Sequence, residues 1–228
     1  MGSLKNLALY STFYWGAYPG VNLDGVHFPQ LKSLSLGHFS FVEDKQLDWI
    51  LGHSSTLQEL YLDDCPILIS MRLSDCESDL SSCQIPKSKM EIKEENDQQE
   101  CHYSYQRRWH EYFSSIQRGL PHLRRFGFGV SESWDDYVLP FENEKEIVIA
   151  LMRDRYLALY GGTGPSPFLE KKDYLDMNPD EEWPECDEED RSALKELYAK
   201  IGQQVDYGRI KVNSQRKVES LLQIPQRY

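Results

Sequence analysis

The sequence predicts an α/β fold: a short stack of strand–helix units with parallel strands, followed by a helical C-terminal part. Three observations carry this. A leucine pattern returns at nearly constant spacing. Apolar residues between its copies fall on helical stripes. The last part of the chain joins a strongly acidic stretch to a helix-forming one.

The pattern Leu4-x-x-Leu7-x-Leu9 returns as Leu31-x-x-Leu34-x-Leu36 and Leu57-x-x-Leu60-x-Leu62, with starts 27 and 26 residues apart. A degenerate copy, Leu123-x-x-Phe126-x-Phe128, starts 66 residues later. Between them lies a polar segment, residues 70–104. Without its 35 residues the gap is 31, close to the roughly 20–29 residues of leucine-rich repeats. In each copy the last two apolar positions alternate as in a strand and point to one face. Such units cannot bury their apolar faces alone and stack into a curved array.

The elements follow in order. Residues 43–53 predict a helix with Leu47, Ile50 and Leu51 on one face, Asp44 as cap and Gly52 at its end. Asp63, Asp64, Cys65 and Pro66 then sit where a strand stops, since Asp favours turns and Pro cannot continue a ladder. Residues 70–104, rich in Ser, Asp, Glu, Lys and Gln, read as a disordered polar insertion. A helix is predicted over 103–118, with Tyr105, Trp109, Tyr112, Phe113 and Ile116 inward, stopped by Gly119-Leu120-Pro121. Another is predicted over 144–159. Residues 161–167, GGTGPSP, break the pattern. A last helix is predicted from about 188 to 203 through Leu194, Leu197, Tyr198 and Ile201, capped by Asp187. The domain reading is an array over 1–160, with 70–104 inserted, and an extension over 161–228 whose acidic loop and terminal helix pack on the array.

The net charge is −12. Residues 170–190 alone hold eleven Asp/Glu against two Lys. That balance argues against nucleic acid or an anionic membrane as the main partner, since both need a basic footprint. No apolar run reaches the roughly 20 residues of a membrane span. The start of the chain lacks a signal-peptide pattern. With five cysteines, an odd number, reduced thiols in a cytoplasmic or nuclear setting are expected.

Candidate chemistry is sparse. Asp63 and Asp64 suit a strand end; the alternative reading is a small hydrolase using these carboxylates, but no partner His stands nearby in sequence. Gly161-Gly162-Thr163-Gly164 lacks the Lys and Ser/Thr of a phosphate loop. Cys76, Cys83, Cys101 and His102 match no closed zinc spacing. The acidic runs lack a calcium-loop glycine. No cofactor, metal or catalytic residue is expected. Trp134, with Asp135 and Asp136, and Trp183 stand in polar surroundings without period, and are the candidate partner-binding residues.

Taken together, LKSLSLGHFSF with QLDWILGHSSTLQELYLDDCPIL, then RRWHEYFSSIQRGLPHLRRFGFG, RYLALYGGTGPSPF and EEDRSALKELYAKI resemble the C-terminal leucine-rich-repeat region of filamentous-fungal F-box proteins. The resemblance runs in order over most of the chain. It implies a substrate receptor of a cullin ubiquitin ligase, a protein-interaction module and not an enzyme. In that family an F-box motif ahead of the repeats docks on a Skp-type adaptor. No such motif precedes the first repeat in this sequence, so adaptor binding is expected only of a form with an F-box upstream. A decayed or truncated gene product without function is the further alternative.

Overall fold

The leucine repeats become the strands of one sheet. The computed structural model describes residues 4–73, 79–95, 98–131, 147–161, 168–177, 182–206 and 212–213. Strands β1 (Asn6–Trp15), β2 (Ser33–Phe39) and β3 (Glu59–Asp63) lie side by side and parallel. The chain then passes through β4 (Ile67–Leu73), β5 (Glu91–Glu95), β6 (Gln98–Ser104) and helix α2 (Trp109–Gly119). It returns as β7 (Arg125–Val130), parallel to β3. Helix α1 (Asp44–Leu51) bridges β2 and β3.

The repeat positions match in register. Leu7 pairs with Leu34, Leu34 with Leu60 and Leu60 with Phe126; Leu9, Leu36, Leu62 and Phe128 form the next row. From β2 to β7 these side chains are essentially fully buried, whereas Leu7 and Leu9 on the edge strand are half-covered. The fourth copy carries Phe for Leu because it faces α2. Phe128 lies 4.5 Å from the Trp109 ring and 5.0 Å from Phe113, in tilted and edge-to-face contact.

The cap of helix α1 lies one residue earlier than expected. Glu43 occupies the cap position and Gln46 closes a capping box, its Oε1 accepting from the Val42 and Glu43 amides at 2.7 and 3.2 Å. Asp44 is instead the first helical residue, and its carboxylate accepts from Tyr105 and Arg107. No helix joins β1 to β2.

The polar segment 70–104 departs most from expectation. Its described residues complete β4, form two short 3₁₀ turns and build β5 and β6. Here β4 pairs antiparallel with β6, and β6 with β5. A second small core explains this: Leu68, Met71, Leu73, Ile85, Met90 and Cys101 are buried together. Glu91, Lys93 and Glu94, which help give the segment its disordered composition, are exposed residues of β5. Cys101 is disulfide-bonded, so the expectation of five reduced thiols fails there; Cys65, Cys83 and Cys186 are free.

The helix expected over 144–159 is also replaced. Its described residues form β8 (Val148–Ile149), β9 (Leu151–Met152) and the start of β10 (Tyr156–Gly161). The β-branched and aromatic residues here favour extended backbone, and β10 has a ready partner in β4, to which it runs parallel. The second sheet is completed by β11 (Phe168–Leu169), in the order β11-β10-β4-β6-β5. The first sheet reads β1-β2-β3-β7-β8, with β8 antiparallel at its edge. The molecule is thus α/β with two mixed sheets, not one uniform run of repeats. Helix α2 begins at Trp109, later than expected, because Tyr103 belongs to β6.

Helix α3 (Lys171–Met177) precedes α4 (Asp187–Ile201), which ends at Gly202 in the left-handed conformation, φ 71°. Cys186, not Asp187, holds the cap position of α4. The last short strand, β12 (Val212–Asn213), pairs with β9. No described helix is long and apolar enough to cross a membrane.

Candidate binding face of the parallel sheet

Because the repeats are in register, the residues between the leucines form rows on the opposite face of the sheet. Asn6, Ser33, Glu59 and Arg125 make one row; Ala8, Ser35, Tyr61 and Gly127 the next; Tyr10, Gly37, Asp63 and Gly129 the third. Strand alternation puts all of them away from the leucine core. Just before the strands, backbone hydrogen bonds link Lys5, Lys32, Gln58 and Arg124 in a fourth row. Lys32 N donates to Lys5 O, Gln58 N to Lys32 O and Arg124 N to Gln58 O, at 2.7–2.8 Å.

Glu59 is the hub of the first row. Its carboxylate accepts from Ser33 Oγ at 3.2 Å and from the Tyr61 hydroxyl at 3.4 Å, and stands 3.9 Å from Arg125 Nε. Burial, reinforced by the Glu59 charge, raises the Tyr61 pKa. Tyr61 therefore keeps its proton and acts as a donor. Two glycines let tyrosines lie flat on the sheet. A Cβ on Gly37 would stand 2.2 Å from the Tyr10 ring, and one on Gly127 2.8 Å from the Tyr61 ring. Beside Tyr61 a cleft of 320 Å³ opens, walled by Arg124, Arg125, Ile147, Ile149 and Gln203. Gln203 holds the outer edge of β7, accepting from Phe126 N at 2.8 Å and donating to Phe126 O at 3.0 Å.

The Asp63–Asp64 corner lies at the far end of the same strands. Strand β3 ends at Asp63, Asp64 takes a left-handed φ of 51°, and β4 begins at Ile67, so the chain leaves one sheet for the other here. Asp63 Oδ1 accepts from Ser131 N at 2.7 Å. Asp64 Oδ2 meets the Tyr14 hydroxyl at 3.2 Å and His38 Nε2 at 3.0 Å.

A histidine therefore does stand beside the carboxylates, a contact missed in the sequence. The repeat alignment held the signal, because Ser11, His38 and Asp64 each follow the last leucine of their copy by two. The likeness to a serine triad ends at Ser11, which meets His38 Nδ1 at 3.0 Å with its backbone oxygen, while its hydroxyl accepts from Phe13 N. Burial first, then the two aspartates, push the Cys65 thiol well above its usual range; a thiol held protonated is not a nucleophile. The corner fastens the ends of three strands.

A third cluster joins the C-terminal part to α2. Asp190 is fully buried. Its Oδ1 accepts from His110 N at 2.8 Å; its Oδ2 accepts from Arg155 Nε at 2.8 Å and the Tyr156 hydroxyl at 2.9 Å. Arg155 also pairs with Asp187. His110, Cys186 and Asp190 offer ligand atoms within 4.8 Å of one another. Both Asp190 oxygens already serve hydrogen-bond donors, one of them a guanidinium, so a cation there would have to displace Arg155.

Of the partner-binding residues expected from sequence, Trp134, Asp135 and Asp136 lie outside the described residues. Trp183 is half-buried, its ring 5.3 Å from Tyr174 of α3 in edge-to-face contact. The zinc reading loses Cys101 to its disulfide, while burial pushes the Cys83 thiol up to about 11. The glycine-rich stretch at 162–167 lies outside the described residues. No family model matches the chain, and no curated protein and no solved structure matches it.

Proposed function

We propose that the chain is a protein-interaction module, a leucine-rich-repeat-like scaffold that holds a partner on the face of its parallel sheet. The observation that supports this reading is the register of the four repeat copies, which sets one non-leucine residue of each strand beside its equivalents. Asn6, Ala8 and Arg125 of these rows are exposed while Ser33, Ser35, Tyr61 and Asp63 between them are buried, so a partner is met at the β1 edge and along the strand-start rim of the scaffold. The chain is accordingly not an enzyme in this proposal. Following the resemblance, its role is that of a substrate receptor of a cullin ubiquitin ligase, in the cytoplasm or nucleus. A Skp-type adaptor joins only in a form that carries an F-box ahead of the repeats.

Photo-crosslinking tests the reading. A benzophenone amino acid at exposed Ala8, on the sheet face, is compared with one at exposed Glu196, on α4. Specific protein crosslinks in a native lysate at position 8, absent at 196, are the expected result. Crosslinks confined to position 196, or none at position 8, would overturn it.

A further inference from the structure

We propose that the strand-start rim of this face is a docking site for an acidic peptide segment with an apolar anchor; this rests on the sheet-face reading above and names the partner's chemistry. The rim carries Lys5, Lys32, Arg124 and Arg125, all exposed, in a chain of net charge −12. Several other described cations have found carboxylates: Arg72 pairs with Glu100, Lys89 with Glu43 and Arg155 with Asp190. Among the described residues, no carboxylate lies within ion-pair distance of Lys5, Lys32 or Arg124. Arg125 stands 3.9 Å from Glu59 and hydrogen-bonds the Tyr61 side chain.

The repeat produces this row. Lys5, Lys32, Gln58 and Arg124 each follow the first apolar residue of their copy, and backbone hydrogen bonds set the four side by side. Neighbouring strands stand about 4.8 Å apart, so the row spans about 14 Å from Lys5 to Arg124. An extended segment crossing the strands presents alternate side chains about 6.7 Å apart, so three of its carboxylates cover the row. The row ends at the Tyr61 cleft, whose walls include the aliphatic Ile147 and Ile149 beside Arg124 and Arg125. That is where an apolar residue of the same segment would be held. Residues 170–190 carry most of the net negative charge, so an acidic ligand is repelled there, and the rim sets three unpaired cations in one row to attract it.

The test is fluorescence anisotropy on the whole chain, with a labelled peptide of alternating glutamates and one central phenylalanine. Binding that weakens as salt rises is expected. It should fall about tenfold in Lys32→Glu/Arg124→Glu/Arg125→Glu, and measurably in Lys32→Ser/Arg124→Ser, which leaves the Arg125–Glu59 contact in place. Unchanged melting temperatures check that the variants fold. No binding, binding indifferent to both variants, or equal binding of a short oligothymidylate would overturn the proposal. If crosslinking at Ala8 survives while peptide binding fails, the acidic chemistry is wrong and the sheet-face reading stands. If both fail, the face itself is wrong.

Discussion

At the residue scale, two buried polar groups set the conditions under which the fold holds. Asp190 and Arg155 are almost wholly removed from water and pair with each other, Asp190 also accepting from His110 N and the Tyr156 hydroxyl. Removing Arg155 leaves the Asp190 carboxylate buried without a cation, and removing Asp190 leaves the buried guanidinium with only the half-exposed Asp187. Asp190→Ala should therefore cost about 3–5 kcal/mol, measured by chemical denaturation. Asp190→Ala combined with Arg155→Met should cost less than the sum of the single changes. His53 is the pH-sensitive counterpart. Its Nδ1 donates to Trp49 O at 2.9 Å, which leaves Nε2 to accept from Phe28 N at 3.2 Å. Burial, aided by the neighbouring His27, lowers its pKa below the ordinary 6.5. The unfolded chain thus binds this proton more readily than the folded one. The stability from neutral His53 is fully present above pH about 6.5 and is lost as pH falls through the lower folded value. Denaturation midpoints of the native protein should drop over that window, more steeply than those of His53→Gln.

At the scale of elements, each sheet edge is handled differently. Strand β5, at one end of the second sheet, carries Glu91, Lys93 and Glu94, charges that discourage edge-to-edge pairing. At the other end β11 is only two residues long. The outer edge of β7 is covered beyond β8 by the Gln203 amide, which binds Phe126 N and O as another strand would. Gln203→Ala should cost about 1 kcal/mol. It should also bring concentration-dependent association, read by sedimentation velocity, because the exposed edge can template pairing. Gln203 lies just past the end of α4, so this edge and the docking of α4 on α2 depend on each other.

At the scale of the molecule, the corner at Asp63–Pro66 and the Asp190 cluster divide the work. The first passes the chain from the parallel sheet into the second sheet and locks the strand ends through His38 and Tyr14. The second clamps α4 to the start of α2 and to β10. Both lie away from the strand-start rim, so the rim can be altered without touching either. A sheet-face change such as Ala8→Arg should leave the melting temperature within a degree or so of the native value, as exposed substitutions do. Changes at Asp190 should lower it by many degrees.

The leucine pattern by itself determined the strands of the four copies and their core rows, because each copy carries its apolar face within six residues; that the fourth copy, 66 residues on, lies in register beside the third was decided by packing. Helices α1 and α4 were legible for the same reason: their apolar stripes are carried within a dozen or so residues. The second sheet was not, since β4 pairs with β10 nearly ninety residues away and the residues between look polar or helical when read locally. The clusters were hidden likewise. His38 meets Asp64 only because adjacent strands align, and His110 meets Asp190 across 80 residues of chain. Periodicity reports which face of an element is buried. Which distant element buries it, and which polar groups must then find one another, is decided by packing in three dimensions.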